Sequence, residues 1–339
     1  MVSWTATRID IANYCRMRYY LRYVEKEKPL RLPSYVKGGL LHDLIENFWD
    51  KLGTEEEVAK KSLRKKYSCK EEFASYAQGL WKRNVIASRN SQNKIYWSYE
   101  NEPWVINSEL KDICIPLYDY LIKEPPPIFK EIDFNFMFDG RNFSGRIDDV
   151  RTKDKKVIIR DYKSGRPWLG EMKLNNDPQL TLYNIGLCSL CFEREDIAGK
   201  LGLEKERKRF MGNPIYVFPD FIEEFFMIEA PAFNLKKKHN LDVIHTTTRK
   251  DEHFFELLNM IRGIEKAVNE GEIYPERGRK CDYCDLKFAC EKRLDKVGIG
   301  HLEDKTGQGF FGFAIPAYAR KEEQKESFKQ KKFRFRFKG

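Results

Sequence analysis

The stretch EIDFNFMFDGRNFSGRIDDVRTKDKKVIIRDYKSG, residues 131–165, decides the fold. Its opening segment, EIDFNFMF (131–138), alternates apolar and polar side chains with the two-residue period of a strand. Asp139-Gly140 is a hairpin signal, since both residues tolerate the positive φ of a tight turn. RNFSGRIDDV (141–150) is then the returning strand, and the polar turn RTKDKK leads to a short β-branched strand, VIIRDYK (157–163). Asp148 falls near the end of the second strand. Asp161 and Lys163 stand two apart on the third, so they share a face. Antiparallel neighbours bring Asp148 beside Asp161. Two carboxylates that close repel unless a cation lies between them, and Mg²⁺ or Mn²⁺ takes carboxylate oxygens. A lysine at such a site orients or deprotonates a water and stabilises charge developing on phosphate. A lone D-x-K arises by chance in many chains, so its surroundings carry the argument.

Upstream, helices are expected over residues 8–24, from Lys37 to Trp49 after the breaker Pro33, and over about 54–87. Three prolines at 125–127 end that helical part. Downstream, a helix from about Asn176 to Phe192 precedes two strands, PIYVFP (214–219) and EEFFMIEA (223–230), and a helix over 250–270. Helices, three strands, helix, two strands and helix predict an α/β fold. Its central mixed sheet is flanked by helices, with a mostly helical insertion over 53–125. The last 45 residues read as a loosely structured basic extension, ending in KQKKFRFRFKG.

Further residues add chemistry to the meander. His42 lies on a helix four residues after Gly38, and a neutral imidazole can join a metal. Alone, it reads as an ordinary helix-face histidine. Glu131 opens the first strand. Gln179 and Tyr183 are four apart, on one helix face. Arg146 and Arg166 flank the acidic motifs and are placed to meet phosphates. Arg8, Arg16, Arg18 and Arg22 make the first helix strongly basic.

Cys281, Cys284 and Cys290 form C-x2-C-x5-C, and Cys15 stands apart near the N-terminus. Thiolates so spaced bind Zn²⁺ or an iron–sulfur cluster, and spacing alone does not choose between them. Cys188 and Cys191 make a second C-x2-C that could complete a zinc ribbon. Their mid-helix apolar setting instead suits cysteine as a small core hydrophobe. Cys69 and Cys114 have no partner pattern.

The chain has 62 Lys and Arg against 52 Asp and Glu, a formal +10, which favours a polyanionic partner. It has no apolar run long enough to span a membrane and no signal-peptide pattern at its start, so an intracellular, reducing location is expected. There eight cysteines point to metal or core roles rather than disulfides. No G-x-x-x-x-G-K-[ST] loop is present, so no ATPase motor is expected.

In order, Gly38 to His42, Glu131, GRID (145–148), DYKSG (161–165) and Gln179 to Tyr183 resemble the RecB-type branch of the PD-(D/E)XK nucleases. The resemblance implies a restriction-endonuclease-like core within a nuclease domain over 1–294. It implies Mg²⁺ or Mn²⁺ held by His42, Asp148, Asp161 and the Tyr162 carbonyl. Lys163 would be the catalytic lysine and Glu131 a support, with Glu46 joining a second layer. Gln179 and Tyr183, with Arg146, Arg166 and Arg18, would face DNA. Cys15 with Cys281, Cys284 and Cys290 resembles the iron–sulfur members, AddB-type subunits and CRISPR-associated exonucleases among them. In those a [4Fe–4S] cluster clasps the two ends of the domain, here 1–24 and 275–294, with Zn²⁺ as the other candidate. The implied activity is exonucleolytic, on single-stranded ends, with 5′-to-3′ polarity. A flap or junction endonuclease, or a non-catalytic DNA-binding subunit of a recombination or CRISPR-adaptation complex, stands as an alternative. A helicase or integrase-type protein is the partner such a complex implies.

Overall fold

The first two-residue strand, Ser3–Trp4 (β1), already belongs to the central sheet, although nothing in its own sequence marks it. The computed structural model describes residues 3–49, 67–89, 94–97, 102–162, 174–211, 217–231, 244–276 and 278–296. After β1 come α1 (Ala6–Tyr14), α2 (Arg16–Tyr23), α3 (Pro33–Glu46), α4 (Lys70–Ala87) and α5 (Glu102–Leu121). The strands β2 (Phe129–Phe138), β3 (Arg141–Lys153) and β4 (Lys156–Arg160) follow, then α6 (Pro178–Glu193), α7 (Glu195–Lys200), α8 (Glu204–Met211) and α9 (Val217–Phe225). The order closes with β5 (Phe226–Pro231), β6 (Ile244–Thr247), α10 (Asp251–Asn269) and α11 (Lys287–Lys296). Two compact units result: Met1–Ala6 with Arg31–Phe255, and Thr7–Leu30 with Glu256–Gly339.

The first unit holds a curled mixed sheet, ordered β1-β3-β4-β5-β6, with β2 also paired to β3. The hairpin β2–β3 and the pair β3–β4 are antiparallel, as the meander predicts, whereas β4 and β5 run parallel. β3 is long enough to have two neighbours on one edge. β1 pairs with Asn142 and Phe143, and β4 pairs from Asp149 onward. Asp148 therefore lies in the interval between β1 and β4, in mid-strand rather than at the strand end expected from sequence.

One apolar core joins α3, α4 and α5. Phe48 meets Phe73 edge to face at 5.6 Å, and Trp81, Leu110 and Leu117 are buried beside them. Pro33 does not precede α3, as a breaker would, but opens it. At the first helical position its missing N–H costs nothing. α6 lies against β2 and β3 through Phe134, which pairs with Gly145. A Cβ on Gly145 or on Gly186 of α6 would come within 2.5 Å of the Phe134 ring. Glycine at both positions lets the aromatic ring pass between strand and helix.

Three other expectations change. The single helix over 8–24 is two helices, because Cys15 is extended (φ −165°, ψ 117°). The strand expected over 214–219 is instead helical from Val217 onward, with 214–216 outside the described residues. Phe221 and Ile222 are buried while Glu223 and Glu224 are exposed, so helical amphipathicity governs there. The strand after it begins at Phe226, not at Glu223, and β6 was not foreseen. Residues 54–66 of the expected third helix and the extension over 297–339 lie outside the described residues.

The second unit joins chain segments more than 250 residues apart. The carboxylate of Asp285, with a fully buried side chain, accepts from Arg18 Nε at 2.7 Å and Arg22 Nη1 at 3.2 Å. Leu30 N donates to Asp285 O at 2.7 Å, and Arg293 pairs with Glu25. Met17, Tyr20, Leu21, Ile273 and Leu286 form its small apolar centre. Among the described residues no helix is long and apolar enough to cross a membrane.

Candidate active site

Sequence alternation sends Asp148 and Asp149 to opposite faces of β3. The paired residues Asp149 and Arg160 end the β3–β4 ladder, so Asp148 and Asp161 are the next residues along each strand, where the two strands part. Asp161 N still bonds Glu229 O of β5 at 3.2 Å, which fixes its backbone. His42, from the middle of α3, brings Nδ1 to 3.3 Å from Asp148 Oδ2. The same oxygen lies 3.5 Å from Tyr162 N. Asp161 is 2% exposed, and its Oδ1 accepts from Gln179 Nε2 at 3.1 Å. Gln179 Nε2 also donates to Tyr183 OH at 2.8 Å. Burial first, then the charges of Asp161 and Asp148, push the Tyr183 hydroxyl well above its ordinary value and keep it protonated.

The structure thus gathers His42, Asp148, Asp161, Tyr162, Gln179 and Tyr183. Lys163 and Arg166 lie outside the described residues. Glu131 stands opposite Asp148 in the β2–β3 register, between the pairs Lys130↔Asp149 and Ile132↔Ile147. Its φ of 45° interrupts the ladder there, a left-handed backbone that side chains other than glycine adopt at a cost. Its carboxylate accepts from Arg146 Nη1 at 2.8 Å, and Arg146 Nε also reaches Asp133 Oδ1 at 2.7 Å. Arg18 belongs to the second unit, where it is spent on Asp285 rather than presented to solvent. Glu46 ends α3, and its carbonyl accepts from Lys130 Nζ at 3.0 Å.

Behind the site lies an ionic layer that sequence reading did not find. Asp149 takes Arg151 Nε at 2.8 Å and Tyr162 OH at 2.7 Å. Arg160 bonds Glu229 at 2.6 Å and Glu124 at 2.8 Å. The side chains of Asp149, Arg151, Arg160 and Glu229 are at most 5% exposed. Burial pushes the Tyr162 hydroxyl far up, so it stays a donor to Asp149. The only sequence signal was charge at alternate positions of short strands, which reads equally as a solvated face.

The donor chemistry at Asp148, Asp161 and His42 suits a hard divalent cation: two carboxylates and an imidazole, with Tyr162's backbone alongside. Among the described residues no three His, Cys, Asp or Glu side chains converge closely enough to form a ready-made metal-holding group. In the second unit, Cys15, Cys284 and Cys290 line one apolar centre. Burial raises the Cys284 thiol, and the charge of Asp285 beside it adds to that shift. Cys281 Sγ instead faces Glu276 O at 4.0 Å. Cys188 and Cys191 are fully buried inside α6, with the Cys191 thiol pushed up to about 12 by burial, as core residues are. Cys114 is likewise buried, while Cys69 precedes α4 at the surface.

The family model for the PD-(D/E)XK nuclease superfamily matches residues 3–291. The chain belongs to that superfamily and is a nuclease by family. Among solved structures it is similar to a candidate exonuclease from Eubacterium rectale, with 12% identity and a TM-score of 0.29 over 79% of this chain and 91% of that one. A second, SSO0001, shows 15% identity and a TM-score of 0.26 over 76% of this chain and 96% of that one. None of the curated proteins matches.

Proposed function

We propose that this nuclease is a divalent-metal-dependent deoxyribonuclease of the RecB-like kind, acting as an exonuclease on single-stranded ends in the 5′-to-3′ direction. One observation carries the reading. His42, from α3, meets Asp148 in the open interval of β3, and Asp161, next along β4, is held by Gln179 from α6. Four elements, α3, β3, β4 and α6, bring polar side chains to this end of the sheet, and Asp161 is almost wholly buried there, a cost that apolar packing would not require.

His42, Asp148, Asp161 and the Tyr162 carbonyl would hold Mg²⁺ or Mn²⁺. A cation there supplies Lewis-acid stabilisation of charge on the phosphoryl oxygens and leaving oxygen. The chain's own groups do the rest. Gln179 keeps one oxygen of Asp161 occupied and so turns the carboxylate. The ionic layer behind β3 and β4 fixes the backbone on which Asp148 and Asp161 ride. Glu131 supports Asp148 across the hairpin, and Lys163 orients or deprotonates the attacking water. Gln179, Tyr183, Arg146 and Arg166 would help to bind the strand being cut. Cys15, Cys281, Cys284 and Cys290 hold an iron–sulfur cluster in the second unit. Support for it is the shared unit and the apolar centre that Cys15, Cys284 and Cys290 line.

The test is to purify the full chain anaerobically, record its visible spectrum and its iron and zinc content, and supply 5′- and 3′-labelled single- and double-stranded DNA with Mg²⁺ or Mn²⁺. Stepwise release from 5′ ends, abolished by chelation and by Asp148→Ala, is expected. Metal-independent cleavage, or none under any condition, removes the reading. Internal cuts make the protein an endonuclease. A colourless zinc protein removes the cluster and leaves the nuclease.

A further inference from the structure

Arg249 is fully buried, yet among the described residues it pairs with no carboxylate. Its hydrogen bonds end on neutral oxygens. Nε donates to Thr181 Oγ1 at 2.8 Å, and Nη1 to Thr247 Oγ1 at 3.2 Å and Thr248 O at 3.1 Å. Nη2 donates to Leu174 O at 2.8 Å and Asp177 O at 3.3 Å. Burial pulls the guanidinium down to about 10, so it remains charged at neutral pH. A buried cation that forms no ion pair among the described residues, with only the charge of Asp177 acting from farther off to favour it, is a costly way to fill space, and an apolar side chain of similar volume would stabilise the core better.

What the guanidinium holds explains its presence. Leu174 is the first described residue after 163–173, the segment that carries Lys163. Asp177 caps α6 by accepting Gln179 N on Oδ1 at 2.9 Å. Thr181 sits in the first turn of α6 and donates to Asp177 O at 3.3 Å. Gln179, between the cap and Thr181, is the residue that bonds Asp161. Buried leucines at 180, 182 and 187 already hold α6 against its neighbours. Apolar contacts are non-directional, however, and resist sliding or rotation of a helix end less well than fixed hydrogen bonds do.

We propose that Arg249 is a positioning residue of the nuclease site. It locks the turn before α6 and the first turn of that helix, and through them holds Gln179 on Asp161. The inference rests on the proposed metal-binding role of Asp161 only for its effect on the cation. Functional side chains need placement to within about 0.5 Å, which a clamp on both turn carbonyls and Thr181 provides.

The test compares intact wild type with Arg249→Met, Arg249→Lys, Gln179→Ala and the Arg249→Met/Gln179→Ala double variant. Amide hydrogen exchange and calorimetric Mn²⁺ binding are the readouts. In Arg249→Met, exchange over 174–183 is expected to quicken at least about tenfold while 129–153 is unchanged. Mn²⁺ affinity should fall about tenfold, as for loss of an outer-layer partner, and the double variant should bind no worse than Gln179→Ala alone. Lysine, lacking the planar fork, should not restore either. Losses that simply add in the double variant, or exchange that quickens equally throughout the unit, would overturn the proposal. If Arg249→Met does not fold, Thr181→Val removes one acceptor and carries the same comparison. Wild type that neither binds Mn²⁺ nor cuts DNA would sink the nuclease reading, while the exchange result would still decide whether Arg249 orders the turn.

Discussion

His42 Nδ1 lies 3.3 Å from Asp148 Oδ2, joining α3 to β3 across 106 residues of sequence. The His42 side chain is about one-third exposed and that of Asp148 less than one-fifth, so the pair borders solvent rather than forming a sealed core contact. Replacing either should therefore spare the fold. His42→Ala and Asp148→Asn are each expected to lower cleavage by at least about 100-fold with little change in thermal unfolding. Full activity in Asp148→Asn would exclude this spot as the catalytic centre.

Phe134 lies between Gly145 and Gly186, each too close to its ring to carry a Cβ. Gly145→Ala and Gly186→Ala should each cost about 1–3 kcal/mol through overpacking, read from urea unfolding. Gly145→Ala should also reduce activity, since any shift of β3 moves Asp148. Phe134→Leu in the Gly186→Ala background should recover part of the stability. No recovery would mean that the ring is not what the new methyl meets.

Arg151 and Asp149 are a buried pair that also anchors Tyr162 OH. Removing one partner leaves a buried charge. Arg151→Met is thus expected to destabilise by about 3–5 kcal/mol, and Tyr162→Phe by about 1 kcal/mol. Equal, small effects for both would show that solvent reaches the layer.

Asp285 serves two arginines of α2 with a side chain that is fully buried. Asp285→Ala should loosen Thr7–Leu30 from the C-terminal part of its unit at a cost of about 3–5 kcal/mol. Limited proteolysis is the direct readout, with early cleavage within 7–30 expected. An unchanged digestion pattern, with the iron or zinc content intact, would show that the cysteines alone hold these segments together.

The meander was legible because its signals are local. Alternation, the Asp139-Gly140 turn and a β-branched run set β2, β3 and β4 without help from distant residues. Asp148 and Asp161 were legible for the same reason, as register follows from the hairpin. The amphipathic pattern of 251–269 likewise needs no tertiary partner. By contrast, PIYVFP (214–219) reads locally as strand and EEFFMIEA (223–230) as the next, since aromatics and valine favour extended chain, yet Val217–Phe225 is helical. Only burial of Phe221 and Ile222 on one helical face decides otherwise. Ser3–Trp4 is a strand solely because β3 offers an edge to it. Cys15 breaks a helix that its neighbours would continue.

Sequence alone supplied the candidate groups: two acids, an imidazole, a lysine and four cysteines, in an order that resembles a nuclease. Tertiary structure decided which partners those groups keep. It spent Arg18 on Asp285, gave Gln179 to Asp161, placed an ionic layer behind the acids and buried Arg249 among hydroxyl and carbonyl oxygens. The physical reason is that residue type fixes what a group can bond, whereas desolvation and distance fix what it does bond. Both depend on segments tens to hundreds of residues away.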